Sequence, residues 1–378
     1  MNIKRYLYPI VVGVGLVVVT LAWLKLEYGW GRPYPDVGAA APASTAHLEK
    51  LIELDFPPGN VAVAPNGHVF FNYHRLTHPK RFAAATVFEW ADGAVKPFPS
   101  LEFQKNFQGT FGIAIDRQNR VWLTEPANFD FDHTRVWAFD ITTRQQVHFF
   151  QFPKGVAQFG QDLRVTGDGN YVLFANPGIF RFTDSTLVIY SIKDHSYRTA
   201  LSGGSCLQPE DWLLQTVSHG PDRLLWGLLN FAVGFDGIEI SNDQEWVYLG
   251  PMVNQHLCRV RLATLLDATL TPQEAGKQVE VVGRKPLSDG ITVDLDGKVI
   301  LTDVEHGGLM SMDPTTGTLT NVIRSKEIEW ADGVWTGPDN SLYFTDSAIP
   351  HYLTQTSGPP DLETLVAHRP YYLYRVKR

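Results

Sequence analysis

The chain has 378 residues, 44 % of them hydrophobic, with a formal net charge of −8 and two cysteines. That apolar content supplies a large core. The acidic balance, with no basic run beyond pairs such as Lys80-Arg81 and Lys377-Arg378, excludes a phosphate-backbone partner, so no nucleic-acid role is expected.

At the N-terminus, Lys4-Arg5 precede an apolar stretch from Leu7 to Leu24, and these 18 residues would span roughly 27 Å as a helix, close to a hydrocarbon core. A cleaved signal has a shorter apolar region, about 7–15 residues, closely followed by a small-x-small site. The alanine-rich stretch at 39–46 begins fifteen residues beyond Leu24, too far for ordinary cleavage. Tyr28 and Trp30 stand where an interfacial aromatic belt belongs. Residues 1–30 therefore read as a signal anchor or transmembrane segment, and 31–46 as a Pro/Gly/Ala linker that detaches it from the domain. The expected location is membrane-anchored, with the domain facing the periplasm or cell exterior; a cleaved signal and a secreted protein are the alternative.

Residues 47–378 carry six copies of one hairpin: GNVAVAPNGHVFFN from Gly59, FGIAIDRQNRVWLTE from Phe111, QDLRVTGDGNYVLFAN from Gln161, DGIEISNDQEWVYLG from Asp236, DGITVDLDGKVILTD from Asp289 and DGVWTGPDNSLYFTD from Asp332. Repetition of one β-unit predicts an all-β fold, a six-bladed β-propeller behind an N-terminal transmembrane helix. Outer strands fill the intervals at 136–152, 186–201 and 308–323. The strand 47–54 and the C-terminal YYLYRVKR pair to close the ring. Residues 205–233 read as an insertion that covers a surface or rims the channel, and 262–280 as holding one short helix. Cys206 and Cys258 lie 52 residues apart and form no recognisable framework, which disfavours zinc and makes a disulfide the less expected state.

In each hairpin the residue before the first strand lies beside the residue after the second. This brings Glu125, Gln161, Asp162, Asn176, Asp236, Asp289, Asp303, Asp332 and Asp346 to one mouth of the channel. So many carboxylates cannot all stay ionised without a cation, a cationic ligand or raised pKa values. Oxygen ligands of this kind suit Ca²⁺ or another divalent cation, with Asp236 and Asp289 as the metal pair. The plainer alternative is that strand-end Asp residues accept backbone N–H bonds, and it is preferred for Asp243, Asp296 and Asp339 in the turns at the opposite end. His306 and Asp303, together in TDVEHGG, are the candidate catalytic residues, His306 as general base or its acidic neighbour moving the proton, with a hydrogen-bonded rim histidine as the plain alternative. Gln161, Asp162, Asp332, Asp346, Trp335, Glu125 and Asn176 are the candidate ligand-binding residues. No P-loop, dinucleotide fingerprint, HExxH or G-x-S-x-G element occurs, so no organic cofactor is expected.

GFDGIEISNDQEWVYLGPMVNQHLCRV, QDLRVTGDGNYVLFANPG and LSDGITVDLDGKVILTDVEHGG resemble the Yellow/major royal jelly protein family, in pattern its bacterial members related to dopachrome tautomerase. The resemblance implies an exported six-bladed propeller that binds small molecules in its channel, amines in some members, with catalysis in others. More distantly, the repeats are similar to gluconolactonase/regucalcin propellers. The metal site of that group maps its Asp onto Asp289, one Asn onto Asp236, the other Asn onto Gln161 and its Glu onto Gly59, beside Asn60. Three functions follow as expectations: an anchored propeller binding a small molecule in an acidic channel, a metal-dependent lactone or ester hydrolase, or a scaffold presenting 205–233 to an envelope protein.

Overall fold

The computed structural model describes residues 4–41, 46–127, 133–218, 220, 223–352 and 360–378. Residues 42–45 of the linker and 219, 221 and 222 of the insertion lie outside the described residues. Among the described residues, six four-stranded antiparallel sheets stand as the blades of a propeller. Their innermost strands, in chain order, are Pro58–Val63, Ile113–Ile115, Leu163–Val165, Phe235–Ile240, Ile291–Val293 and Ala331–Thr336.

Each blade is sandwiched between two others, so both faces of its second strand are covered. Val121, Trp122 and Leu123 of blade 2 are fully buried in succession, and so are Val172, Leu173 and Phe174 of blade 3. This is why these segments read as apolar runs rather than strict alternation. The fourth strand of blade 2, Gln146–Gln151, faces solvent on one side and alternates. The core is consequently a ring of six layers, one between each pair of neighbouring blades, plus a seventh cluster capping one end.

The ring closes as the termini suggest. His47–Leu54 pairs antiparallel with Tyr371–Lys377, which pairs in turn with Leu342–Asp346. Helix α1 spans Lys4–Tyr28, and its segment Ile10–Tyr28 is apolar, exposed and long enough to cross a membrane. Residues 262–276 form two short helices rather than one, α2 (Leu262–Leu266) and α3 (Pro272–Gly276). Thr271 caps α3 through a reciprocal bond pair with Glu274, the capping box. Thr271→Ala is expected to lower stability by about 1 kcal/mol, read as a small drop in the denaturation midpoint with unchanged ligand binding.

Two expectations are corrected. Cys206 and Cys258 are disulfide-bonded, with Cα atoms 5.9 Å apart. Cys206 lies just beyond the last strand of blade 3, and Cys258 sits on the third strand of blade 4. Their contact is one of neighbouring blades, which a spacing of 52 residues does not reveal. The linker is also no free tether. Arg32–Pro33 pairs in parallel with Trp212–Leu213. Tyr34 is buried and donates to the Lys285 carbonyl at 2.7 Å. Asp36 accepts two bonds from Arg324, and Asn321 donates to the carbonyls of Gly38 and Ala41. Polar and aromatic residues scattered among the prolines fasten the segment to the rim.

Candidate ligand site at the channel mouth

Around the axis the inner strands begin almost in contact. A Cβ on Gly237 would lie 2.9 Å from the Asp289 carbonyl oxygen, and one on Gly333 would lie 2.8 Å from the Asn60 Cα. The glycines of these Asp-Gly pairs thus serve close approach of blades rather than turns. Their aspartates are delivered side by side into one cavity of about 50 Å³, enough for a few waters or a small polar group. Asn60, Asn72, His74, Arg75, Thr110, Gln161, Asp162, Asp236, Asp289 and Asp332 supply its polar lining, and Leu76, Phe111, Phe231, Val233, Met252 and Ile349 its apolar lining.

The bonds inside the cavity are short and few. Asp162 Oδ1 accepts from Asn60 Nδ2 at 2.6 Å. Asp289 Oδ2 accepts from the Trp330 indole at 2.6 Å. The end of the Gln161 amide lies 2.8 and 2.9 Å from the two Asp236 oxygens, and turning its nitrogen to them would satisfy both groups. Asp332 Oδ2 is buried without a hydrogen-bond partner among the described residues. Burial raises the pKa of all four carboxyls, and neighbouring carboxylates raise them further: Asp289 is pushed up to about 6, and Asp236 and Asp332 well above their ordinary value.

His74 was not anticipated, since nothing in FFNYHR marks it as a site residue. It is buried, its imidazole lowered by desolvation to about 3, and therefore neutral. Its Nδ1 accepts from the Leu76 N–H at 3.3 Å, which places the ring proton on Nε2, 3.6 Å from Asp332 Oδ2. Arg164 lies on the axis, inward from Asp162 along the same strand. It ion-pairs with Glu239 at 2.9 Å, donates to the Ile291 carbonyl and stacks 5.0 Å from the Trp335 ring. Trp335 packs against the interblade clusters on three sides, so this layer fills the channel beneath the cavity. Behind the wall, Lys285 is fully buried and lowered by desolvation to about 7; its ammonium donates to the Pro286 carbonyl at 3.1 Å.

Of the anticipated mouth residues, Gln161, Asp162, Asp236, Asp289 and Asp332 line the cavity, whereas Glu125, Asn176, Asp303 and Asp346 do not. The latter end the second strand of their blades, one strand further from the axis. Three of them fasten the segment entering their own inner strand. Glu125 accepts from the N–H groups of Gln108 and Gly109, Asn176 from Phe159, and Asp346 from Glu329 and Trp330. A bulge between Ala331 and Val334 also sets Ala331, not Asp332, opposite Asp346. Asp303 instead meets His306 at 2.9 Å and Arg324 at 2.8 Å on the rim, and its bond to the imidazole raises the His306 pKa.

Among the described residues, Asp36, Asp303 and His306 are the group of three acidic or histidine side chains whose ligand atoms converge within 4.8 Å. The Arg324 guanidinium already bridges both aspartates of that group, which does not fit a cation. At the cavity, the carboxylates of Asp236, Asp289, Asp332 and Asp162 and the amide of Gln161 are the oxygen-bearing side chains that would hold a divalent cation.

Solved structures share this fold at low identity. A luciferin-regenerating enzyme is 10 % identical with a TM-score of 0.56, covering 88 % of this chain and 95 % of its own. A gluconolactonase from Xanthomonas campestris is 15 % identical with a TM-score of 0.54, covering 92 % and 95 %. A calcium-binding regucalcin from Agrobacterium tumefaciens is 13 % identical with a TM-score of 0.52, covering 89 % and 95 %. No curated protein sequence matches the chain. The sequence profile described as "Major royal jelly protein" matches residues 108–328, which carry blades 2 to 5 and three of the four cavity aspartates, and the chain belongs to that family.

Proposed function

We propose that this protein binds a small organic amine in the acidic mouth of its channel, and that α1 holds the propeller on the outer face of a membrane. One observation carries the binding reading. Asp162, Asp236, Asp289 and Asp332 line the cavity against one lining cation, Arg75, whose guanidinium donates to the Gly109 carbonyl at 2.7 Å; one layer down Arg164 pairs with Glu239, and Lys285 lies behind the wall. An ammonium group inserted among the aspartates relieves the mutual repulsion and donates up to three hydrogen bonds, one of them available to Asp332 Oδ2, which accepts no hydrogen bond among the described residues. Leu76, Phe111, Phe231 and Ile349 offer apolar contact to the rest of the molecule. The disulfide fits a chain that matures in an oxidising compartment.

The test is calorimetry at pH 7 with 2-phenylethylamine against 2-phenylethanol, which differ in the ammonium alone, and with Ca²⁺ in parallel. Binding of the amine and not the alcohol is expected. Silence with the amine, together with tight Ca²⁺ uptake and hydrolysis of a lactone, would replace this reading with the metal-dependent hydrolase.

A further inference from the structure

Helix α1 ends against the same insertion that walls the cavity. Lys25 donates to the carbonyls of Gly29 and Gly227. Arg181 donates to the Glu27 carbonyl at 2.8 Å, and the Tyr28 ring lies 4.5 Å from Phe182. Gly29 packs against the backbone of Leu228 with no room for a side chain. From there the short strand Leu229–Asn230 runs directly into Phe231 and Val233 of the cavity lining. Along the other chain, Tyr34 is buried in one apolar cluster with Phe231, Met252 and Ile349, all three cavity residues. Tyr34 follows Tyr28 by six positions, and six extended residues reach at most about 20 Å. The helix end and the cavity are therefore on the same face of the propeller.

That junction has an unusual surface. Leu26 is 67 % exposed, Trp30 65 %, Phe182 43 % and Leu225 40 %. Lys25, Arg32, Arg181 and Arg223 stand among them. Aromatic and aliphatic side chains interleaved with Lys and Arg suit the lipid–water boundary, where rings lie at headgroup level and cations meet phosphate. The patch is continuous with the exposed apolar segment Ile10–Tyr28, which identifies its occupant as the bilayer that α1 enters.

We propose that the mouth-bearing face of the propeller is its membrane-facing face. Trp30, Phe182 and Leu225 dip into the interfacial layer, and the acidic cavity opens towards the lipid surface, from which it takes amphipathic amines. This rests on the anchored reading, so the experiment separates the two. Intact mass and alkaline extraction are measured first on the full chain from native membranes. Loss of residues 1–30 would overturn both the anchor and the orientation. The retained full chain, bearing a fluorophore on Phe182→Cys or on Asp296→Cys at the opposite end, is then reconstituted with headgroup-nitroxide lipid. Quenching several-fold stronger at position 182 than at 296 is expected. Equal quenching, or the reverse order, would overturn the orientation while leaving the anchor standing.

Discussion

Asp289→Asn is expected to make the empty propeller more stable and its ligand site weaker. Burial raises the Asp289 carboxyl from 3.8 to about 6, so between those pH values the folded chain holds a proton that the unfolded chain has released. The stability this group contributes is fully present below about pH 4 and is lost as pH rises through 6. Asparagine keeps the side-chain oxygen that accepts from the Trp330 indole but carries no charge at any pH. The variant should therefore gain roughly 3 kcal/mol over the parent at neutral pH and nothing at pH 4, from about two units at 1.36 kcal/mol each. His74 works in the opposite sense: lowered to about 3, it favours folding more strongly as pH rises from 3 to 6.5. It is common to both chains and cancels in the difference. Denaturation midpoints of parent and variant at pH 4, 5, 6 and 7 measure the effect, and parallel curves would show that folding leaves the Asp289 pKa unshifted. Amine affinity should fall by about ten- to a hundredfold, the loss of one hydrogen bond to a charged partner. At pH 5.5 amine binding by the parent should release a proton, seen as a dependence of the binding heat on buffer ionisation.

The trade between stability and binding explains which parts of the site could be read in advance. Blade number, ring closure and the positions of Asp236, Asp289 and Asp332 follow from the repeat, because one hairpin recurring in register must place equivalent residues at one end of the axis. Strand order alone does not say which of two adjacent strand ends faces that axis. Asp303 and Asp346 looked equivalent to Asp289 and Asp332, yet a strand's width and the bulge at Ala331–Val334 send them to the rim and to backbone N–H groups. His74 and Arg164 were missed for a related reason. Their importance comes from contacts across the ring, to Asp332 in blade 6 and to Glu239 and Trp335 in blades 4 and 6, which leave no local pattern. The linker was misread because Pro, Gly and Ala dominate its composition, while four residues, Arg32, Tyr34, Asp36 and Gly38, decide its attachment.

Removing the disulfide by Cys206→Ser with Cys258→Ala is expected to have the largest effect on stability. The bond closes a loop of 52 residues, and the lost constraint on the unfolded chain corresponds to about 4 kcal/mol. Cys258 is fully buried among Leu187, Leu201, Leu207 and Leu249, so alanine is the replacement that adds least polarity there. The consequence extends beyond stability, because the closed loop contains the insertion. Its first part is held by Cys206, its middle pairs with Arg32–Pro33, and its last part supplies Phe231 and Val233 to the cavity. Releasing the first of these attachments should therefore loosen the apolar wall while leaving Asp236 and Asp289 on their strands. Phenylethylamine affinity should fall, whereas affinity for methylamine, which needs only the carboxylates, should change little. Urea midpoints and paired titrations of the two amines decide this. A lowered midpoint with equal losses for both amines would mean that the bond steadies the inner strands themselves; an unchanged midpoint would mean that the two sulfurs are not joined in the mature protein.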